Sequence, residues 1–389
     1  MESTASLDGA QVRMKPYLTG TIVPGSEKVT VVDWLRPADE SEWDVFVRQH
    51  PSGMVYHLSS WKRVLESAFP QIHGQFLVAR DCETGRVLAG LPVYTVKSWL
   101  LGNRIVSVPF ATMCDPLLSS AEEFGWFLPE LQELQQKTRS RRVEIRARLT
   151  ANLLLNGGTL SGDVGFKHLY LRLNPQQDRD ALFHTFSRTC VRKNITKAER
   201  TGVIVEQRWD EASMRICCDI LAESRRRLSL PQMPHAFFKA MLKYLSPEHL
   251  NVFLALHKGK PIGCFILSRM GDFWTAEYAG NTADAPAGVD QMLYWETIKK
   301  ALDHDAKIYS FGRTAVANEG LLTYKRRWAT VEEDLVDFTF CARGEKLEII
   351  EKVHHSDASL AYRSARTLLG KVPMPVYRMI GNFFYRHLG

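Results

Sequence analysis

No stretch of the chain approaches the roughly 18–20 consecutive apolar residues that span a bilayer, so no transmembrane helix is expected. Its beginning has no continuous apolar run followed by small residues, which argues against a secretory signal. Cysteine is sparse and unpatterned. The seven residues are an odd number, form no CxxC pair, and include the adjacent Cys217 and Cys218. A metal cluster and a disulfide framework are both disfavoured, and the setting reads as a reducing cytosol. There is no GxGxxG or Walker-type run, so nucleotide hydrolysis is not indicated. Acidic residues are in deficit. The 50 Lys and Arg outnumber 43 Asp and Glu, and the formal charge of +7 suits anionic partners such as phosphorylated donors, nucleic acid or acidic lipid.

What is present is ordinary for a globular protein: 45% apolar and 24% charged residues over 389 positions, enough for two or three domains. Residues 1–28 are polar and read as a flexible leader. A strand is expected at 29–32, helices at 40–48 and 59–68, and strands at 75–80, 87–96 and 103–109. A helix at 121–137 and a strand at 142–146 follow. The second half repeats the order. A long helix or helix pair spans 180–199 and a strand 203–207. Helices follow at 210–228 and 234–245. A hairpin crosses Lys258-Gly259, another strand covers 273–279, and a helix at 288–304 leads to a strand at 307–311. QFLVARDCETGRVLAGLPV answers NVFLALHKGKPIGCFILS, and RVEIRAR answers KIYSFGRT. This is a duplicated unit of mixed sheet and helices, an α/β chain with domains at 29–170 and 171–345 and a basic amphipathic helical tail at 346–389.

SRTCVRKNITKAERTGVIVE, Tyr278-Ala279-Gly280-Asn281, the helix around 290–301 and FGRT…GLLTYKRRWAT resemble, in that order, the FemAB-like proteins, which are built from tandem GNAT-type acyltransferase folds. The tail KVPMPVYRMIGNFFYRHLG resembles the members associated with exosortase/PEP-CTERM exopolysaccharide systems. The resemblance covers about residues 30–389. At Ala329-Thr330 the chain has alanine where the family more often has glycine followed by an apolar residue. The resemblance implies transfer of an acyl or aminoacyl group to an amine in cell-envelope biosynthesis. The donor would be acyl-CoA, acyl carrier protein or aminoacyl-tRNA, with no tightly bound cofactor and no metal. In the peptidoglycan branch the acceptor is a muropeptide precursor. Other branches admit a long-chain amine, and a degenerate member would be a membrane-associated scaffold.

Acyl transfer passes through a tetrahedral oxyanion, which a fixed cation stabilises. Lys325 is the first candidate. By resemblance it matches the lysine that follows an aromatic residue at the reaction centre of the peptidoglycan transferases. A strand ending in Arg313, a loop hinged at Gly320 and a returning strand would bring Arg313, Tyr324 and Lys325 to one cleft. The bland alternative is a solvated basic turn. Asp115, before Pro116, is a candidate to take the amine's proton or only a turn former, and Cys114 beside it is a weak candidate for a thioacyl intermediate. Tyr278 is the third catalytic candidate, because Ala-Gly-Asn follows it at an expected turn. Arg192, Lys193 and Lys197 would hold donor phosphates or form an exposed helix face. The basic patch lacks interleaved aromatics, so tRNA is admitted but not indicated. The familiar Arg/Gln-x-x-Gly-x-Gly/Ala loop that grips CoA is missing. Trp61 and His57 complete the substrate-binding candidates. In the tail, Val376, Tyr377, Ile380, Phe383, Phe384 and Leu388 alternate with Arg378, Arg386 and His387. Such a helix either packs on the body or makes peripheral contact with an anionic inner membrane from the cytoplasmic side.

Overall fold

The computed structural model describes residues 3–7, 10–14, 20–23, 29–156, 160, 162–343, 346–349 and 369–387. Within 1–28, read above as a leader, β1 (Ser3–Leu7) and β2 (Ala10–Met14) pair antiparallel on either side of an Asp8-Gly9 dipeptide, a hairpin signal passed over in the sequence. β3 (Thr21–Val23) joins the main sheet beside β4 (Thr30–Trp34). Helices α1 (Glu40–Gln49) and α2 (Ser59–Ala68) follow. Helix α2 starts after Leu58, and Ser59 in its first turn donates its N–H and hydroxyl to the carboxylate of Asp44.

The hairpin β5 (Ile72–Asp81) and β6 (Val87–Val96) leads to β7 (Arg104–Val106), α3 (Glu122–Trp126), α4 (Leu128–Thr138), β8 (Val143–Ala147) and α5 (Ala151–Asn156). Pro129 in the first turn of α4 splits the single helix expected at 121–137. Strand β9 (Gly162–Arg172) was not anticipated. Then come α6 (Arg179–Thr185), a π-helical turn over Arg188–Arg192, α7 (Lys193–Arg200), β10 (Val203–Arg208), α8 (Glu211–Arg227) and α9 (His235–Tyr244). Strands β11 (Leu250–His257) and β12 (Lys260–Met270) turn through Lys258-Gly259, both residues at positive φ. This is the backbone a two-residue hairpin of matching twist requires. β13 (Phe273–Asn281), α10 (Val289–Leu302), β14 (Ile308–Ala315), α11 (Glu319–Arg326), β15 (Val331–Arg343), β16 (Lys346–Ile349) and α12 (Met374–His387) complete the described chain.

One continuous sheet runs β10-β11-β12-β13-β14-β9-β15-β8-β7-β6-β5-β4-β3, with β16 also on β15. Each half has one parallel pair, β7 with β8 and β13 with β14, flanked by antiparallel strands. The halves exchange strands at the join. β9, from the first half of the chain, lies beside β14; β15, from the second, lies beside β8. β9 and β15 then pair with each other and weld the lobes. Residue 170, at the expected domain division, lies inside β9. Lys167, His168, Glu332, Glu333 and Asp334 interrupt the apolar alternation of β9 and β15, so neither strand is legible from sequence pattern.

Apolar clusters sit on both faces. One lies under α10 in lobe 2 (Trp274, Tyr309, Phe311, Trp328) and one under α4 in lobe 1 (Phe124, Leu131, Phe338). A third spans the lobes, joining α2 to α8 and α9 through Trp61, Val64, Phe237 and Met241.

Candidate active site

In lobe 2 the parallel pairing lasts only from Phe273 to Thr275 against Ile308 to Ser310. Beyond it the two strands separate. On β14 the ladder to β9 is also interrupted between Ser310 and Arg313, so Phe311 and Gly312 form a bulge. Gly312 has φ +69°, and a Cβ there would stand 3.3 Å from the Ala276 carbonyl oxygen of β13. Glycine is needed for both reasons. On β13 the register shifts between Ile266 and Leu267 of its partner β12, which leaves Glu277 as the extra residue. Both strands are thus irregular where they part.

Lys325 reaches this break. It lies on α11, a helix capped by the Asn318 side chain, with Gly320 inside it. The hinge loop and returning strand expected here are therefore corrected to one short helix, started by an Asx cap that the pattern reading overlooked. Lys325 is buried, and its Nζ donates to the carbonyls of Phe311 and, at 3.2 Å, Gly312. These are carbonyls the bulge has released from the ladder. Burial pulls the ammonium down to about 7, because no carboxylate offsets its lost hydration.

The carboxylate of Glu277 accepts from Tyr56 Oη of lobe 1 and Ser268 Oγ of β12. Withdrawal from water pushes it up to about 7 against those two hydrogen bonds. Sequence reasoning passed over Glu277. The available signal was a lone acid inside FWTAEYAGN, an otherwise uncharged strand.

A second polar set leads away from the break. Gly312 N donates to Ser310 Oγ at 3.1 Å, and Ser310 Oγ meets His168 Nε2 at 2.8 Å. His168 Nδ1 stands 3.7 Å from Glu333 Oε2, too far for a hydrogen bond. Glu333 accepts from Tyr170 Oη at 2.5 Å and Arg148 at 3.3 Å. The His168 ring, Tyr170 and Arg148 together hold Glu333 at about 2, while burial keeps His168 below its usual value. Glu333, Tyr170 and Arg148 line an interlobe cleft of about 840 Å³, with Arg48, Arg172, Glu248 and Phe273 among its other walls. The polar set thus connects that cleft with the backbone beside Lys325.

The remaining expected residues fall elsewhere. Arg313 does not join Lys325. Its guanidinium lies 3.5 Å from the Phe166 ring centroid and 3.3 Å from Asp337, and burial lowers it to about 10. Tyr324 packs toward Tyr294 with its hydroxyl unpaired. Tyr278 is part of an aromatic group with Phe237 and Phe238, and burial raises its phenol. Trp61 and His57 have no surface to offer a substrate, being 1% and 0% exposed. Trp61 packs against Tyr56 and Phe237. His57 Nδ1 accepts from Met54 N at 3.1 Å and Nε2 donates to the Asp115 carbonyl at 2.7 Å, which fixes a neutral tautomer. That N–H cannot act as a base toward Cys114, 3.3 Å away, whose thiol burial pushes well up.

Asp115 lines the interlobe cleft, but its Oδ1 accepts from Arg148 N, Thr150 N and Thr150 Oγ1 at 2.8–2.9 Å. Cys114 meanwhile bridges to Arg146 of β8. The segment around Asp115 therefore fills the space beyond the parallel pair of lobe 1.

Arg192 donates to His184 at 2.7 Å, and Lys193 and Lys197 are exposed on α7. Helix α7 abuts the start of α10, where a Cβ on Gly288 would stand 2.1 Å from the Asn194 carbonyl oxygen. Only glycine lets the two helices come this close. Among the described residues no His, Cys, Asp and Glu cluster suits a metal ion, and no helix is long and apolar enough to cross a membrane.

Residues 186–326 match the acetyltransferase (GNAT) domain family. No curated protein matches the chain. Among solved structures, FemX is similar over 78% of this chain and 96% of its own, at 13% identity and TM-score 0.62. L-PGS from Bacillus licheniformis is similar over 80% and 94%, at 13% identity and TM-score 0.54. A tandem GNAT protein from the clavulanic acid biosynthesis pathway is similar over 82% and 100%, at 12% identity and TM-score 0.51. The chain therefore has the FemAB-like tandem GNAT fold, with residues 186–326 matching an acetyltransferase (GNAT) domain.

Proposed function

We propose that the chain transfers an acyl or aminoacyl group to a polar amine of a cell-envelope precursor, at the break between β13 and β14. The observation that supports this most is buried Lys325, whose ammonium is held on the carbonyls of the β14 bulge where that strand leaves β13; Glu277 is the extra residue of the facing bulge on β13. The amine nitrogen attacks the carbonyl carbon of the activated donor, and Glu277 takes the proton that nitrogen sheds. Protonated Lys325 uses two N–H groups on Phe311 and Gly312; the third is left for the oxyanion. Collapse breaks the bond to the donor's sulfur or oxygen, which leaves as thiol or hydroxyl with the proton that Glu277 had taken, and Glu277 returns to its ionised form.

The missing Arg/Gln-x-x-Gly-x-Gly/Ala loop favours acyl carrier protein or aminoacyl-tRNA as donor over the ordinary CoA grip. Intact-mass detection of products after incubation with acyl-CoA, acyl carrier protein and aminoacyl-tRNA mixtures tests the reading. Product with the wild type and none with Lys325→Met supports it; equal turnover in both removes Lys325 from the site.

A further inference from the structure

Helix α12 is anchored by one face. Tyr377 Oη donates to the Leu230 carbonyl at 2.5 Å, Gly381 lies against Gln232, and Tyr385 is buried. Arg104 donates to the His387 carbonyl at 3.3 Å, and Ser98 Oγ meets His387 Nδ1 at 3.0 Å. The body has thus fixed which side of the helix faces out. That side should be polar if it met only water. Instead it presents Val376, Met379, Phe383 and Phe384, all exposed. Leu388, grouped with them in the sequence, lies outside the described residues.

The turn after β6 extends the same surface. Trp99 is 79% exposed, Leu100 54% and Leu101 45%. The Trp99 ring stands 6.5 Å from Phe383 and 5.1 Å from His387. A tryptophan so exposed, next to two leucines and a row of phenylalanines, makes a joined apolar patch rather than scattered residues.

The segments that build it carry one sign of charge. Three segments meet here: 97–104, 137–142 and 371–387. Asn103 ties the first to the second through Thr138 O at 2.8 Å and Arg141 N at 2.9 Å. Together they contain Lys97, Arg104, Lys137, Arg139, Arg141, Arg142, Lys371, Arg378 and Arg386, and no acidic residue. Partners are present for some: Glu144 for Arg104 and Arg142, and Asp219 for Arg378. Lys97, Arg139, Arg141 and Arg386 are exposed around the apolar residues.

We propose that this surface, Trp99–Leu101 with the outer face of α12, docks the protein on a bilayer carrying anionic headgroups. Tryptophan, leucine and phenylalanine enter the headgroup boundary while the basic rim meets lipid phosphates. Charge complementarity selects the bilayer. A protein partner would need an acidic rim of matching shape, whereas an anionic membrane supplies the charge everywhere. The surface shares no residue with the transfer site proposed above, so the inference stands or falls separately.

The test is flotation of the full chain with vesicles of phosphatidylcholine alone and of phosphatidylcholine mixed with phosphatidylglycerol. The wild type should float only with the mixed vesicles, and less as salt is raised. Trp99→Ala with Phe383→Ala, and separately Lys97→Gln with Arg141→Gln and Arg386→Gln, should each lower the partition coefficient by about tenfold or more. Thermal midpoints and transfer to a water-soluble acceptor should stay unchanged in both sets, since every substituted side chain is exposed. Failure of the wild type to bind the mixed vesicles, or equal binding by wild type and variants, overturns the proposal. So does a concentration-dependent dimer lost on Trp99→Ala, which would make the patch a self-association face.

Discussion

The two lobes share one plan and treat its weak point in opposite ways. In each, a parallel pair of strands stops early and the chains diverge. In lobe 1 the gap beyond Ile105–Val106 is taken up by the protein itself, with Cys114 bridged to Arg146 and Asp115 bonded to Arg148 and Thr150. In lobe 2 the corresponding break is kept irregular by Gly312 and edged by two ionisable groups, Lys325 and Glu277. The shared plan offers two potential clefts. One was stapled into structure, and the other retained groups that are costly to bury.

The largest effect that would sharpen this contrast is on turnover. Lys325→Met keeps the aliphatic stem and removes the cation, and transfer should fall by about 100–1,000-fold in a folded protein. Lys325→Arg should retain part of the activity and move the alkaline limb of the pH profile upward. Glu277→Gln should cost roughly 100-fold and abolish the acid limb. In the wild type Glu277 works ionised, above about 7, and Lys325 works protonated, below about 7, so the profile should be a narrow bell near neutrality.

Stability should show the mirror image. The folded protein binds more protons at Glu277 than the unfolded chain between 4.5 and about 7, so this contribution falls as pH rises through that window. The unfolded chain binds more protons at Lys325 between about 7 and 10.5, so that contribution rises with pH there. Thermal midpoints measured across the range should lose the first slope in Glu277→Gln and the second in Lys325→Met.

Asp115→Ala should act differently, lowering stability by about 2–3 kcal/mol through three orphaned donors while the folded fraction keeps its turnover. An abolished turnover without lost stability would make lobe 1 catalytic and break the comparison. The smallest effect is at Ala329. It follows α11 with φ +56°, a conformation that costs an L-residue roughly 1 kcal/mol and glycine almost nothing. Ala329→Gly should raise stability by about that amount in denaturant unfolding. Ala329 is thus a strained helix end.

Hairpins and amphipathic helices were legible because each depends on local pattern. Helix α2 spans 59–68 and β6 spans 87–96, as their periodicity indicates. The welding strands β9 and β15 were not legible, because their charged residues face a polar seam that exists only once the lobes meet. The same holds for the site. Lys325 could be picked out beside an aromatic residue, but Glu277, His168, Ser310 and Tyr56 become a group only through contacts across long separations in sequence. Trp61 and His57 show the reverse error. Aromatic and imidazole groups at element ends suggested a rim, and interlobe packing turned them into core.

The exchange of β9 and β15 also bears on how the chain is made. As the polypeptide emerges in order, the first lobe has its helices and most of its sheet long before its last strand exists, since Val336 to Phe340 must come back to pair with β8. Until then β8 has an open edge, and β9 waits for both of its neighbours. Neither half of the chain holds all the strands of its own lobe, and a product stalled before β14 leaves one edge of β8 and both edges of β9 open to every other copy in the cell.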